Sequence, residues 1–229
     1  MRALILPGLD GTGKLLTDFV EALKPDIQAN VAAYPPDIAM DYDDLTDLVE
    51  NSLPDGKFLL IGESFSGPIA IYLAARWPKS VIGLVLCATF AKSPRPTFKR
   101  FLRLLDLPLP IPYIGLSDRF TMGRWATKDW RNRTSAAIGE VHSNVVRRRL
   151  ANVLNADAST DLSTLDLPIH YLQGSADRLV PKSAWANIHE IVPHAQLAVI
   201  EGPHFLLQAN PKAAATAVRA FALDITGKC

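Results

Sequence analysis

An α/β fold, doubly wound around a mainly parallel sheet of about six strands, follows from the way short apolar runs alternate with amphipathic stretches. The alternation fills the first ninety residues, stops, and returns near the C-terminus. The runs are apolar on both faces, as strands sandwiched between two helical layers must be. The chain has 229 residues, 48% of them hydrophobic, which is enough for one sizeable core; one domain with an insertion is expected rather than two domains.

Taken in order, residues 2–6 read as a strand, 14–23 as a helix, 27–33 as a strand and 43–53 as a helix. Residues 57–61 form the third strand, 66–77 the helix behind it, and 81–88 the fourth strand. The pattern resumes with a strand at 169–172, a helix at 182–191, a sixth strand at 196–200 and a closing helix at 212–223. Between the two halves the strand signal is lost. Residues 98–105 read as an amphipathic helix ended by Pro108, Pro110 and Pro112, and further helical stretches lie near 118–126 and 141–154. The expected organisation is a core domain of residues 1–91 and 164–229 carrying a helical cap insertion of residues 92–163.

The net charge of +1 excludes a global pull toward nucleic acid. Locally the charge is uneven: residues 92–149 carry thirteen Lys/Arg against four Asp/Glu, and the rest of the chain eleven against nineteen. The plainer reading of a basic helical surface is a solvated face. The functional reading is a meeting with something anionic: an acidic acyl carrier protein, a phosphate-bearing acyl carrier or a membrane surface. The longest early apolar run, residues 3–6, is too short for a secretion signal or a membrane span, so no transmembrane segment and a cytoplasmic location are expected. Cys87 lies in an apolar run and Cys229 ends the sequence, so no disulfide is expected. No Cys/His spacing suits zinc.

Chemistry concentrates at Gly62-Glu63-Ser64-Phe65-Ser66-Gly67, between an apolar strand and a helix. Strand, tight small-residue turn with a serine at its tip, and helix together make a nucleophile elbow. The usual pattern is Gly-x-Ser-x-Gly; here Ser66 holds the second glycine position, and glycine follows one residue later. A serine hydroxyl is a weak nucleophile near neutral pH and needs a base, which in turn needs a partner to hold its tautomer. In doubly wound folds such groups gather at the carboxyl ends of the strands. Asp177 follows the fifth strand and His204 the sixth, in the chain order Ser, Asp, His. Read singly, Asp177 is a turn or helix-capping residue and His204 an ordinary loop histidine; their joint placement points to a triad. An oxyanion hole needs two backbone amides. Phe65, after the nucleophile, supplies one, and Leu9 in the glycine-rich loop Pro7-Gly8-Leu9-Asp10-Gly11-Thr12-Gly13 is expected to supply the other.

Over essentially its whole length the chain resembles the α/β-hydrolase-fold family. The resemblance rests on the first loop with Leu6 ahead of it, on residues 62–67, on Gly174-Ser175-Ala176-Asp177-Arg178-Leu179-Val180-Pro181 and on Gly202-Pro203-His204-Phe205. It implies Ser64 as nucleophile, His204 as base and Asp177 as orienting acid. The first loop resembles the esterase, lipase and thioesterase branch, and the layout is similar to small capped carboxylesterases, whose cap selects the acyl group. What the resemblance implies is a serine hydrolase acting on a small-molecule carboxylic ester or thioester through an acyl-enzyme, with no cofactor and no metal. Two alternatives stay open: an acyltransferase using the same triad, and a non-catalytic hydrolase-fold binding protein. Many members carry His-Gly where this chain has Pro7-Gly8. The chain also begins at the strand bearing the oxyanion loop, without the usual N-terminal antiparallel hairpin. The sheet edge so left calls for cover by a helix or by a partner subunit, as in a homodimer.

A phosphate-binding loop competes for residues 8–14, which fit Gly-x₄-Gly-Lys, but Leu15 stands where Ser or Thr should hold Mg²⁺. Asp10 is expected to brace its loop through an Asx-turn. Glu63 either tunes the elbow or faces solvent. His170 reads as a sheet residue, His189 and His194 as surface residues, and His142 as an insertion residue within reach of a substrate. Phe98, Phe101, Leu102, Leu105, Tyr113, Phe120 and Trp125 read either as an apolar pocket roof or as packing of the insertion onto the core.

Overall fold

The structure is a computed structural model that describes residues 1–102 and 120–227. Leu105, Tyr113, Cys229, the three prolines expected to end the first cap helix and the side chain of Phe101 lie outside the described residues.

Six parallel strands form one sheet in the order β2-β1-β3-β4-β5-β6. They are β1 (Arg2–Leu6), β2 (Gln28–Val31), β3 (Phe58–Glu63), β4 (Val81–Cys87), β5 (Ile169–Gly174) and β6 (Gln196–Ile200). β1 therefore lies inside the sheet, and the edge beside it belongs to β2, whose four residues alternate between exposed and half-buried. Every residue of β3 and β5 is buried, as two covered faces require.

Two helical layers do the covering. On one face α2 (Tyr42–Glu50), α3 (Gly67–Arg76) and, later in the chain, α7 (Lys182–Ile191) pack against Leu4, Leu6, Leu60, Leu84 and Leu86. On the other, α1 (Thr17–Leu23) and α9 (Pro211–Thr226) pack against Ala3, Ile5, Leu59, Ile61 and Val85. Odd and even strand positions thus serve opposite layers, the period of two that a pleated strand imposes. Each fully buried Leu, Ile or Phe contributes roughly 1.5–3 kcal/mol over its exposed state. Local signals start the helices: Asp41 and Asp44 form a reciprocal capping box at α2, and α9 opens on Pro211.

In the described part of the segment between β4 and β5, α4 (Lys128–Gly139), α5 (Ser143–Asn155) and α6 (Ser159–Ser163) follow one another. Its N-terminal part departs from expectation. Where residues 98–105 read as an amphipathic α-helix, a 3₁₀ segment spans Pro96–Phe101, opened by Pro96, and the remainder lies mostly outside the described residues. Near 118–126 the described residues are helical at 120–121 and then form the 3₁₀ turn Gly123–Trp125, where Gly123 takes a left-handed φ of 54°. α5 runs along the loop after β2: the His142 amide donates to the Pro36 carbonyl at 2.8 Å and Asn152 Nδ2 to the Met40 carbonyl at 3.1 Å. Among the described residues no helix is long and apolar enough to cross a membrane.

Candidate active site

The chain leaves β1 outward to β2 and then returns past it to β3, so β1 and β3 are neighbours whose following segments diverge. A crevice opens at such a switch point, outside the carboxyl ends of the strands. Leu6 pairs with Gly62, which sets the loop after β1 directly beside the turn after β3.

Ser64 occupies that turn at φ 48°, a left-handed conformation that a residue with a Cβ adopts only under constraint. The constraint is visible on both sides. The Thr89 hydroxyl, at the end of β4, donates to the Ser64 carbonyl. Immediately behind, a Cβ on Gly67 would stand 1.9 Å from Thr89 Oγ1, so only glycine lets the helix come this close. Ser66, in place of the second glycine, is fully buried and satisfied: its hydroxyl donates to the Pro7 carbonyl and accepts from the Tyr34 hydroxyl at 2.6 Å. Burial pushes the Tyr34 phenol above its ordinary value, which keeps it a donor.

His204 and Asp177 arrive from β6 and β5. Their loops are stitched together by the Ser175 amide donating to the Ile200 carbonyl and the Ala176 amide to the Gly202 carbonyl, both at 2.9 Å. Asp177 Oδ1 accepts the amides of Leu179 and Val180 at 2.8 and 3.0 Å, which fixes the carboxylate. Its Oδ2 lies 3.0 Å from His204 Nδ1, and His204 Nε2 lies 2.8 Å from Ser64 Oγ. With Nδ1–H donating to the carboxylate, Nε2 is left to accept the serine proton. The Asp177 and His204 side chains are each 3% exposed, so the pair sits out of water.

The loop after β1 is bound through most of its carbonyls. The Gly8 carbonyl accepts the Gly11 amide at 3.0 Å and the Gly11 carbonyl the Tyr34 amide at 2.8 Å. Asp10 Oδ2 accepts the amide and hydroxyl of Thr12 at 3.0 and 2.5 Å, the Asx-turn expected there. The Leu9 amide has no acceptor among the described residues. The Phe65 amide lies at the start of the 3₁₀ turn Ser64–Ser66 that leads into α3, where a helix has donors to spare. Lys14, the cation a phosphate loop would use, instead pairs with Glu140 of the insertion at 2.6 Å.

Glu63 is buried, not solvent-facing. Gln208 Nε2, on the short helix α8 (Leu206–Ala209), donates to its Oε1 at 2.8 Å, and burial raises its carboxyl to about 7. His170 stacks on Phe221 with ring centroids 5.1 Å apart, and His142 is exposed. Phe98 and Phe120 are about half exposed. A cavity of about 380 Å³ is lined by Phe120, Arg124, Trp125, Ala176, Arg178 and Pro203; the last three are chain neighbours of Asp177 and His204, but Ser64, Asp177 and His204 do not line it. No cluster of three or more His, Cys, Asp or Glu suited to a metal is gathered among the described residues.

Sequence reasoning passed over Arg149 on α5, which is 2% exposed and donates to the carbonyls of Leu9, Asp10 and Pro35 at 2.9, 2.6 and 3.0 Å. Its sequence neighbours Arg147 and Arg148 disguise it as part of a solvated basic run.

A parallel sheet covered on both faces, with a serine on a strained strand-to-helix turn, defines an α/β-hydrolase. The family model described as “Serine aminopeptidase, S33” matches residues 31–207, and the chain belongs to that family of hydrolases. The match takes in Ser64, Asp177 and His204; the first loop precedes it. A Cronobacter sakazakii protein named “Putative carbamate hydrolase RutD” is 26% identical over 153 residues, 63% of this chain, and the alignment spans only 57% of that relative's length. Among solved structures, one from work on carboxylesterases of Nitrososphaera gargenis superposes with a TM-score of 0.81 at 16% identity, covering 100% of this chain and 92% of its own. A Pseudomonas aeruginosa hydrolase gives 0.80 at 17%, covering 96% and 89%, and a Thermogutta terrifontis esterase 0.74 at 20%, covering 98% and 90%. At these identities the structures share the fold.

Proposed function

We propose that the protein is a serine hydrolase that cleaves a carboxylic ester or thioester through an acyl-enzyme. The observation that carries this reading is the unbroken chain from Asp177 through His204 to Ser64 Oγ, at 3.0 and 2.8 Å. Ser64 attacks the substrate carbonyl while His204 Nε2 takes its proton, and Asp177 stabilises the imidazolium that results. The amides of Leu9 and Phe65 receive the oxyanion; losing one such donor lowers turnover roughly 10²–10³-fold. His204 then gives its proton to the departing alcohol or thiol. Water, deprotonated by the same nitrogen, attacks the acyl-enzyme, and Ser64 leaves with its hydroxyl restored.

A carbamate, the substrate class in the printed name of the Cronobacter relative, would be attacked at its carbonyl carbon by the same steps, with His204 protonating the leaving group.

The test is Ser64→Ala. The variant is expected to fold like the wild type, to lose fluorophosphonate labelling, and to lose nearly all turnover of short p-nitrophenyl esters. Turnover at the wild-type rate would remove the serine mechanism. A folded wild type that takes no fluorophosphonate would favour a binding protein. A panel of methyl esters, acyl thioesters and lipid esters then orders the substrates.

A further inference from the structure

We infer that Arg149 is a positioning residue for the oxyanion hole, holding the Leu9 amide where it can receive the oxyanion and making that geometry depend on how the insertion is seated. The inference rests on the reading of Ser64 as nucleophile.

The argument begins with the loop. Residues 7–11 make no regular structure, so each of their carbonyls needs its own partner. The Pro7 carbonyl has Ser66, the Gly8 carbonyl has the Gly11 amide, and the Gly11 carbonyl has the Tyr34 amide. The carbonyls of Leu9 and Asp10 both converge on Arg149 Nη1. These are the two peptide groups immediately after the Leu9 amide. The second of them carries the Gly11 N–H, which holds the Gly8 carbonyl and with it the plane of the Leu9 amide, so a turn of these peptides is passed to the Leu9 amide. The core domain thus fixes the loop on either side of the peptides next to the proposed donor, and the insertion fixes those peptides.

Arginine suits the task and lysine does not. The guanidinium is a rigid plane whose two amino ends point to two different loops: Nη1 to Leu9 and Asp10, Nη2 to Pro35 at 3.0 Å. The loop is also shaped around it. Gly11 has φ +68°, and a Cβ there would stand 2.6 Å from Nη1 and 2.8 Å from the guanidinium carbon. Tyr34 closes the other side, its ring 5.7 Å from that carbon. A charged side chain at 2% exposure, with glycine cleared for it and three carbonyls turned to it, is a built seat and not a surface arginine folded inward.

The experiment compares Arg149→Ala and Arg149→Lys with the wild type on a short p-nitrophenyl ester, with folding followed by circular dichroism. For Arg149→Ala, kcat is expected to fall about 10²-fold, the loss typical of a missing oxyanion donor, while KM stays within about threefold. The shape of the pH–rate profile should be unchanged, since the contacts among Ser64, His204 and Asp177 do not involve Arg149. Guanidinium ion at tens of millimolar should recover about tenfold or more of the lost kcat, and methylammonium should not, because only the planar fork spans both loops. A folded Arg149→Ala protein with wild-type kcat, a loss confined to KM, or no response to guanidinium would each overturn the inference. If Arg149→Ala does not fold, Arg149→Lys decides: it keeps the charge but cannot bridge two loops, and wild-type kcat there overturns the inference. Fluorophosphonate labelling of the wild type separates the two levels. No labelling sinks the serine reading itself, whereas labelling with normal kcat in the Arg149 variants sinks only this inference.

Discussion

Glu63, next to Ser64, carries a carboxyl displaced from its ordinary behaviour. Burial is the main cause, and Asp10 adds to it, against the lowering pull of Gln208, His204 and the Gly8 amide. Its carboxyl is raised from 4.5 to about 7, so the folded protein keeps the proton over a range where the unfolded chain gives it up. Stability from this group is therefore complete below about pH 4.5 and declines as the pH rises through 7. Relative to Glu63→Gln, the wild type should lose on the order of 3 kcal/mol at most between pH 4.5 and pH 8. Urea denaturation of both proteins across that range measures it; a constant difference would assign Glu63 an ordinary acidity. The sequence could not choose between a buried and an exposed Glu63, because the residue that meets it, Gln208, is 145 positions away. Ser64, Asp177 and His204 were legible for the opposite reason: each follows a strand whose apolar run marks its end. Arg149 was not legible, because three consecutive arginines on an amphipathic helix look alike until the turn of the helix assigns one of them inward.

At the scale of elements, β1, β6 and α7 begin and end where the apolar pattern does. β3 and β5 each run two residues further than their apolar runs, and both extensions carry a glycine and a polar residue that the pattern counts as turn. α4 was invisible as a helix. Its inward face is Trp130, Thr134 and Ala137, one large apolar side chain in three turns, so no stripe shows. What identifies it is local: the Thr127 hydroxyl caps the Trp130 amide at 3.0 Å, and Trp130 packs on Phe205 with centroids 4.9 Å apart. The junction of β3 and α3 is a tight joint. Gly67→Ala should destabilise the protein by about 1–3 kcal/mol, the range for overpacking, as its Cβ meets Thr89. Thr89→Ala in the same chain removes the two nearer of the three Thr89 atoms in the way, so the double variant should be more stable than the sum of the single changes implies. Simple additivity would place the strain elsewhere.

For the molecule as a whole, the uneven charge seen in the sequence is engaged in part within the chain. Arg124 pairs with Glu201 at 2.5 Å, Arg133 with Asp18 at 2.8 Å and Arg148 with Asp41 at 3.1 Å, each joining the basic insertion to the acidic core. All three pairs are substantially exposed, so each is worth under about 1 kcal/mol and fades with salt. Raising NaCl from about 0.05 to about 0.5 M should therefore lower the unfolding free energy by no more than about 2 kcal/mol. A larger drop would mean that exposed charge, not Arg149 and Trp130, seats the insertion. The same titration with a carrier-linked acyl substrate tests whether the basic face also meets an anionic partner: a rate that falls steeply with salt supports it, and a rate indifferent to salt argues against it.

The hydroxyl link from Tyr34 through Ser66 to Pro7 bears on how such a chain can change over time. Replacing Ser66 with glycine would restore the usual elbow pattern yet strand a buried phenol without its acceptor. Changing Tyr34 alone would withdraw a donor from a serine in the narrowest part of the turn. Either single step leaves a buried polar group short of a partner, at a cost of about 1–3 kcal/mol, so these two positions should tolerate change together better than one at a time.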